Sequence, residues 1–196
     1  MCTSARSETR PRAIDYIQHE HRRLYTVGRL DEDSRGLIIL TNDGEMTNHL
    51  THPRHHVPKT YVVKVRGVMT PEAVRQAQDG VHLSEGKTSL SRLKVRDRKR
   101  GTTTLVVELR QGINRQIRRV LAKLDHPVTD LRRIAIGPIR DPHLKEGDTR
   151  RLRAAEVRLL REAALPSTRR AKRPSPVRPK RANPNRPQPA ERRRRK

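Results

Sequence analysis

Residues 25–44, Tyr-Thr-Val-Gly-Arg-Leu-Asp-Glu-Asp-Ser-Arg-Gly-Leu-Ile-Ile-Leu-Thr-Asn-Asp-Gly, constrain the fold of this chain more than any other stretch. Leu24, Val27 and Leu30 on one side and Leu37 to Leu40 on the other are apolar runs bounded by turn residues, so both ends read as short strands. Between them lies the polar loop Asp31 to Gly36. A carboxylate at the mouth of a strand, held by rigid walls at a sheet edge, is where an open α/β or α+β scaffold tends to place its chemistry, which singles out Asp31. Turn chemistry alone would also account for Asp31, Asp33 and Ser34, since all three can hydrogen-bond their own backbone. A calcium loop would not. In the EF-hand spacing that Asp31, Asp33 and Gly36 partly copy, Arg35 falls where an oxygen ligand is needed, and Asn42 falls where a bidentate Glu closes the site.

The rest of the chain divides into short elements. Ala13 to Ile17 reads as a short helical turn, and Met46 and Leu50, at helical spacing, predict a short helix after Asn42-Asp-Gly44. Lys59 to Arg66 alternates, with Tyr61, Val63 and Val65 on one face; Tyr61 sits near the strand end, where a side chain can leave the core. Thr70-Pro71 is an N-cap followed by proline at the first helical position, and it opens a helix that stops at Gly80. Leu90 to Val95 and Thr104 to Leu109 alternate as two strands joined across a turn at residues 98–101. From Gln111 to Leu124, the stripe Ile117, Val120, Leu121 and Leu124 predicts a helix with Arg115, Arg118 and Arg119 on its other face. Ile134 and Ile136 suggest a last strand, and Val157, Leu160 and Ala164 a last helix. His49, His52, His55 and His56 have neither the Cys nor the supporting carboxylate of a zinc site and read as surface histidines or phosphate contacts.

Composition decides what kind of core and partner are possible. The chain has 196 residues, 32% of them apolar, with no Phe and no Trp, so its core must be aliphatic. Length permits one folded domain, assigned to residues 1–165. A net charge of +25 calls for a polyanionic partner, with nucleic acid favoured over an anionic membrane. No apolar run approaches a membrane span, no secretory signal is recognisable, and the single Cys2 cannot form an internal disulfide, all of which fits a cytoplasmic protein. Residues 166–196 carry half of the 14 prolines and only Val177 as a β-branched aliphatic, so they are expected to form a disordered basic tail.

Gly28-Arg-Leu-Asp-x-Asp-Ser-x-Gly-Leu-Ile-Ile-Leu-Thr-Asn-Asp-Gly44 resembles the active-site motif of the pseudouridine synthases of the RsuA type, RluB-like enzymes included, which isomerise uridines in ribosomal RNA. Lys59-Thr-Tyr61, Gly112-x-Asn-Arg-Gln-Ile-Arg-Arg119 and Arg133-Ile-x-Ile-Gly-Pro138 resemble the family's other motifs, in the family's order. The resemblance covers about residues 5 to 162; Ile113 departs from it, standing where the family often has Arg or Lys. It implies an α+β fold: a bent, mostly antiparallel sheet with packed helices and a basic cleft across its middle. It also implies ribosomal RNA as partner, with Asp31 as the catalytic carboxylate. Arg118 would pair with Asp31, since an arginine favours the charged form of a carboxylate in a nearly dry pocket. Tyr61 would stack on the uracil and could take a proton through its hydroxyl. Arg29 would steady the flipped-out nucleotide or its phosphate, and Arg115 is expected to bind substrate beside Arg118.

The reaction that the resemblance implies needs an ionised carboxylate and a pocket for the detached base, so no metal and no cofactor are expected, and a monomer suffices. Members of the family usually begin with an S4-type RNA-binding domain and carry a Lys-Pro-x-Gly strand just ahead of the stretch resembling Cys2 to Ile17. Nothing in this sequence corresponds to either, so the natural start is expected upstream of Met1. The rival expectation is a basic RNA-binding protein that keeps the fold without the catalysis.

Overall fold

The structure is a computed structural model and describes residues 12–17, 23–110 and 112–164. The tail expected at 166–196 and the readings placed on the start of the chain lie outside these residues. After a 3₁₀ turn at Ala13–Tyr16, the elements run β1 (Tyr25–Thr26), β2 (Arg35–Gly36), β3 (Leu40–Thr41), α1 (Gly44–Thr51), β4 (Lys59–Arg66), α2 (Pro71–Asp79), β5 (Val81–Leu83), β6 (Gly86–Thr88), β7 (Leu93–Lys99), β8 (Thr102–Leu109), α3 (Gln116–Lys123), β9 (Val128–Ile136), β10 (Ile139–Arg140) and α4 (Ala154–Ala164). The main sheet has the order β10-β9-β4-β8-β7 and is antiparallel throughout, except that β2 adds to β9 in parallel. The class is α+β, as the family resemblance implies.

Strand β4 holds the middle because its alternation suits a sheet with one covered face. Val63 and Val65 are fully buried, while Lys64 and Arg66 are exposed. Beneath it, α3 presents Ile117, Val120 and Leu121 to Val63, Leu105, Val107 and Leu131, and α2 closes the same cluster with Ala77. Each such Leu or Val side chain, fully removed from water, contributes roughly 1.5–3 kcal/mol. A second cluster joins Met46 and Leu50 of α1, Leu160 and Ala164 of α4, Ile136 and Ile139 at the sheet edge, and Val27 and Ile39 flanking the Asp31 loop. Both clusters are built from aliphatic residues and Met, as a chain without Phe and Trp requires.

Several local expectations are met closely. The Thr70 hydroxyl accepts from the Ala73 amide with Pro71 behind it, and α2 ends at Gly80. Asp43 caps α1 by accepting from the Met46 amide. Others shift. The run Leu37 to Leu40 is not one strand: the chain pairs with β9 at Arg35–Gly36, crosses over, and pairs with β1 only at Leu40–Thr41. Leu90 lies outside β7, its amide donating to the Ala77 carbonyl at the end of α2. The hairpin β5–β6 was not expected; each of its strands is three residues long, too short for alternation to show. Helix α3 begins at Gln116 rather than Gln111, because Arg115 takes a left-handed backbone (φ 47°) and so cannot be a helical residue.

Candidate active site

Asp31 opens the loop between β1 and β2. The Ser34 amide donates to the Asp31 carbonyl at 2.9 Å, closing a tight turn over residues 31–34. The loop then returns to the sheet as β2, and the Leu37 amide donates to the Arg133 carbonyl at 2.9 Å. Asp31 is thereby placed at the mouth of a pocket of about 390 Å³. That volume falls in the range of small-molecule sites. Arg29, Asp31, Tyr61, Arg115 and Arg118 all line it, although they come from the loop, from β4, and from α3 and its lead-in. Tyr61 is half-buried on β4, opposite Val107 on one side and Arg133 on the other.

The charged wall is connected differently from expectation. Arg118 is expected to pair with Asp31. Instead its guanidinium donates to the Asp33 carbonyl at 2.7 Å and to the Ser34 hydroxyl at 3.2 Å, and its Nε lies 3.3 Å from the Asp33 carboxylate. Arg115 is the arginine near Asp31, at 3.6 Å, while it grips Asp33 with two hydrogen bonds of 3.0 and 2.8 Å. The cause is the turn, which carries Asp33 rather than Asp31 over the start of α3. The Arg115 fork holds the Asp33 carboxyl below its ordinary range, with the charge of Arg118 adding to the effect. Asp33, which fits a simple turn residue in the sequence, is therefore the acceptor on which both arginines converge.

The floor of the pocket holds two cations to which sequence reasoning gave no role. Lys59 donates to the Leu50 carbonyl at 2.9 Å; burial, reinforced by the like charge of Arg133, pushes its ammonium down to about 8. Arg133 is only 3% exposed. The sequence marks Ile134 and Ile136 as the apolar positions of this strand, whereas the buried residues of β9 are Leu131, Arg133, Ala135 and Ile136, and Ile134 is only partly buried. The histidines lie to one side: His49 and His55 meet edge to face with centroids 4.8 Å apart. Among the described residues, no group of three or more His, Cys, Asp or Glu is placed to hold a metal ion.

The family model described as RNA pseudouridylate synthase matches residues 2–123. The chain belongs to the RNA pseudouridylate synthase family. It is 39% identical over 140 residues to the ribosomal large subunit pseudouridine synthase B of Bacillus subtilis, a match covering 70% of this chain and 57% of that protein. It is also 39% identical over 132 residues to the ribosomal large subunit pseudouridine synthase E of Xanthomonas axonopodis pv. citri, covering 60% of this chain and 70% of that one. A solved pseudouridylate synthase superposes with a TM-score of 0.68 at 28% identity, over 76% of this chain and 65% of that one. The chain thus spans a little over half of its Bacillus relative's length. Family membership accounts for the motifs around Asp31, Tyr61 and Arg118 appearing in one order along the chain.

Proposed function

We propose that this chain isomerises a uridine of ribosomal RNA to pseudouridine. The observation that carries the reading is the convergence of Asp31, Tyr61, Arg115 and Arg118 on one pocket, in a chain of this family. A uridine inside a helix cannot reach such a pocket, so the target nucleotide is flipped out, at a cost of about a few kcal/mol. The exposed Arg29 at the pocket rim meets its phosphate, and Tyr61 stacks on the uracil. Asp31 then attacks the sugar or the base, or triggers elimination. In each case the C1′–N1 bond breaks, the uracil turns, C1′ bonds to C5, the proton on C5 leaves and N1 gains one. The electrons balance within the nucleotide. Arg115 and Arg118 hold the loop carrying Asp31, and Lys59 adds positive charge beneath the base.

The Bacillus and Xanthomonas relatives named above are ribosomal large subunit pseudouridine synthases, which favours large-subunit RNA as the substrate. A monomer is part of the proposal, and no helix among the described residues is long and apolar enough to cross a membrane. A cytoplasmic site of action is part of the proposal. The test is to incubate the purified full chain with large- and small-subunit ribosomal RNA, free and assembled, and to read pseudouridine at single-nucleotide resolution. Conversion at one or a few large-subunit positions is expected; no conversion in any of these RNAs would contradict the proposal.

Lys59 gives the reaction a pH signature. Above about pH 8 its ammonium loses its proton and the pocket loses a cation, so the single-turnover rate should fall on a limb near that value. Lys59→Arg, whose charge persists, should remove the limb. Stability moves the other way: between about 8 and the ordinary lysine value of 10.5 the unfolded chain binds this proton and the folded chain does not, so Lys59 makes unfolding harder as pH rises through that window. A wild-type rate that stays flat to about pH 9.5 would remove Lys59 from the site chemistry.

A further inference from the structure

Both ends of the catalytic loop are tied to one side chain. The Arg133 Nε donates to the Leu37 carbonyl at 2.7 Å, and its Nη1 donates to the Arg29 carbonyl at 3.0 Å. Those carbonyls lie on either side of Asp31 and the turn that follows it. The backbone of the same residue carries a third tie, since its carbonyl accepts the Leu37 amide and its strand pairs in parallel with Arg35–Gly36. The attachment is close: a Cβ on Gly36 would stand 2.1 Å from the Arg133 carbonyl oxygen. The guanidinium itself is buried, and its hydrogen bonds run to backbone carbonyls. Its Nη2 is buried without a hydrogen-bond partner. Burying a cation in this way is expensive. A planar fork with donors at fixed angles is what lysine and neutral amides cannot reproduce at two carbonyls at once.

We infer that Arg133 is the positioning residue of the catalytic loop: by clamping the carbonyls of Arg29 and Leu37, it sets where Asp31 stands against the base stacked on Tyr61. Arg115 and Arg118 grip the far side of the loop through Asp33, so Asp31 lies between two anchor points, one on β9 and one on α3. In the α3 anchor the Arg115 and Asp33 side chains are half-exposed and open to competition from RNA phosphates, whereas the β9 anchor is buried and persists when RNA binds. Arg133 thus acts through Asp31 and is not itself required to touch the substrate.

This inference rests on the proposed function for its rate consequences but not for its structural ones, and the test separates the two. Arg133→Lys retains the charge and loses the fork. In this variant, amide hydrogen exchange should accelerate at Ser34 and Leu37 while peptides from β4, β8 and α3 keep their protection. The single-turnover rate should fall about thirtyfold, since misplacing a reacting group by about 1 Å can cost a hundredfold. The RNA Kd should stay within about threefold, because the residue is buried away from the phosphates. An ester in place of the Leu37–Ile38 amide, introduced through the α-hydroxy acid of isoleucine, weakens the Leu37 carbonyl as an acceptor with every side chain retained. It should reproduce the exchange and rate changes in smaller measure even if Arg133→Lys fails to fold. Unchanged loop exchange in the ester variant, or equal losses of rate and RNA affinity in a folded Arg133→Lys, would overturn the inference. If the wild-type chain forms no pseudouridine, the functional proposal falls, and the exchange data still decide whether Arg133 orders the loop.

Discussion

Asp31→Asn should abolish pseudouridine formation, lowering the single-turnover rate by at least about three orders of magnitude, while RNA affinity stays within about threefold of wild type. The substitution is nearly isosteric, so the turn closed by the Ser34 amide on the Asp31 carbonyl survives, because it uses the backbone alone. The Arg115 grip on Asp33 also survives, since it makes two hydrogen bonds that do not involve Asp31. What is lost is the negative oxygen that the reaction uses. Melting temperature, RNA affinity and rate measured on the same preparation check this, and a folded variant retaining more than about a few percent of the rate would remove Asp31 from the chemistry.

Gly36→Ala should be nearly as damaging for a different reason. Gly36 has φ +110°, a backbone conformation that L residues rarely adopt, and its added Cβ would meet the Arg133 carbonyl oxygen at 2.1 Å and the Arg133 nitrogen at 2.7 Å. Both of those atoms belong to a sheet strand, so relief must come from β2 lifting away from β9. Backbone strain costs about 1–3 kcal/mol. Detaching β2 also withdraws the Leu37 amide from the Arg133 carbonyl, so two supports of the loop fail together. The expected outcome is a rate loss of about two to three orders of magnitude with a smaller loss of stability. Gly101→Ala is the control: it also has positive φ, but nothing lies within 4 Å of its Cβ. It should lower stability modestly and leave the rate alone. Matching rate losses in the two variants would show that contact with Arg133 does not matter.

Where sequence and structure agree, the controlling interactions are local. Thr70 and Pro71 cap α2 through atoms three residues apart; β4 declares its buried face by alternation; Met46 and Leu50 stand one helical turn apart. The candidate site was legible through motif resemblance, and its five predicted residues line one pocket. The details that escaped depend on long-range contact. Whether Arg118 meets Asp31 or Asp33 turns on how a four-residue turn lies over a helix some 85 residues away in sequence. The late start of α3 depends on the left-handed backbone at Arg115, and Arg115 in turn is held by Asp33. Lys59 could be seen as part of a motif but not as a partly neutralised amine, because its burial is produced by α1 and β9 together. Arg133 alternates with Ile134 and Ile136, the positions that mark the strand in the sequence, so neither its burial nor its two acceptors, 96 and 104 residues away, was legible.

Whether this chain uses Asp31 to make pseudouridine in ribosomal RNA is decided by a pseudouridine map of ribosomal RNA from four strains: wild type, a strain lacking the gene, and that strain carrying either the wild-type or the Asp31→Asn gene. At least one large-subunit position is expected to lose its pseudouridine on deletion, regain it with the wild-type gene, and stay uridine with the Asp31→Asn gene expressed at the same level. An identical map in all four strains, or a site restored by Asp31→Asn, would contradict the proposal and favour a protein that binds RNA with this fold but does not catalyse the reaction.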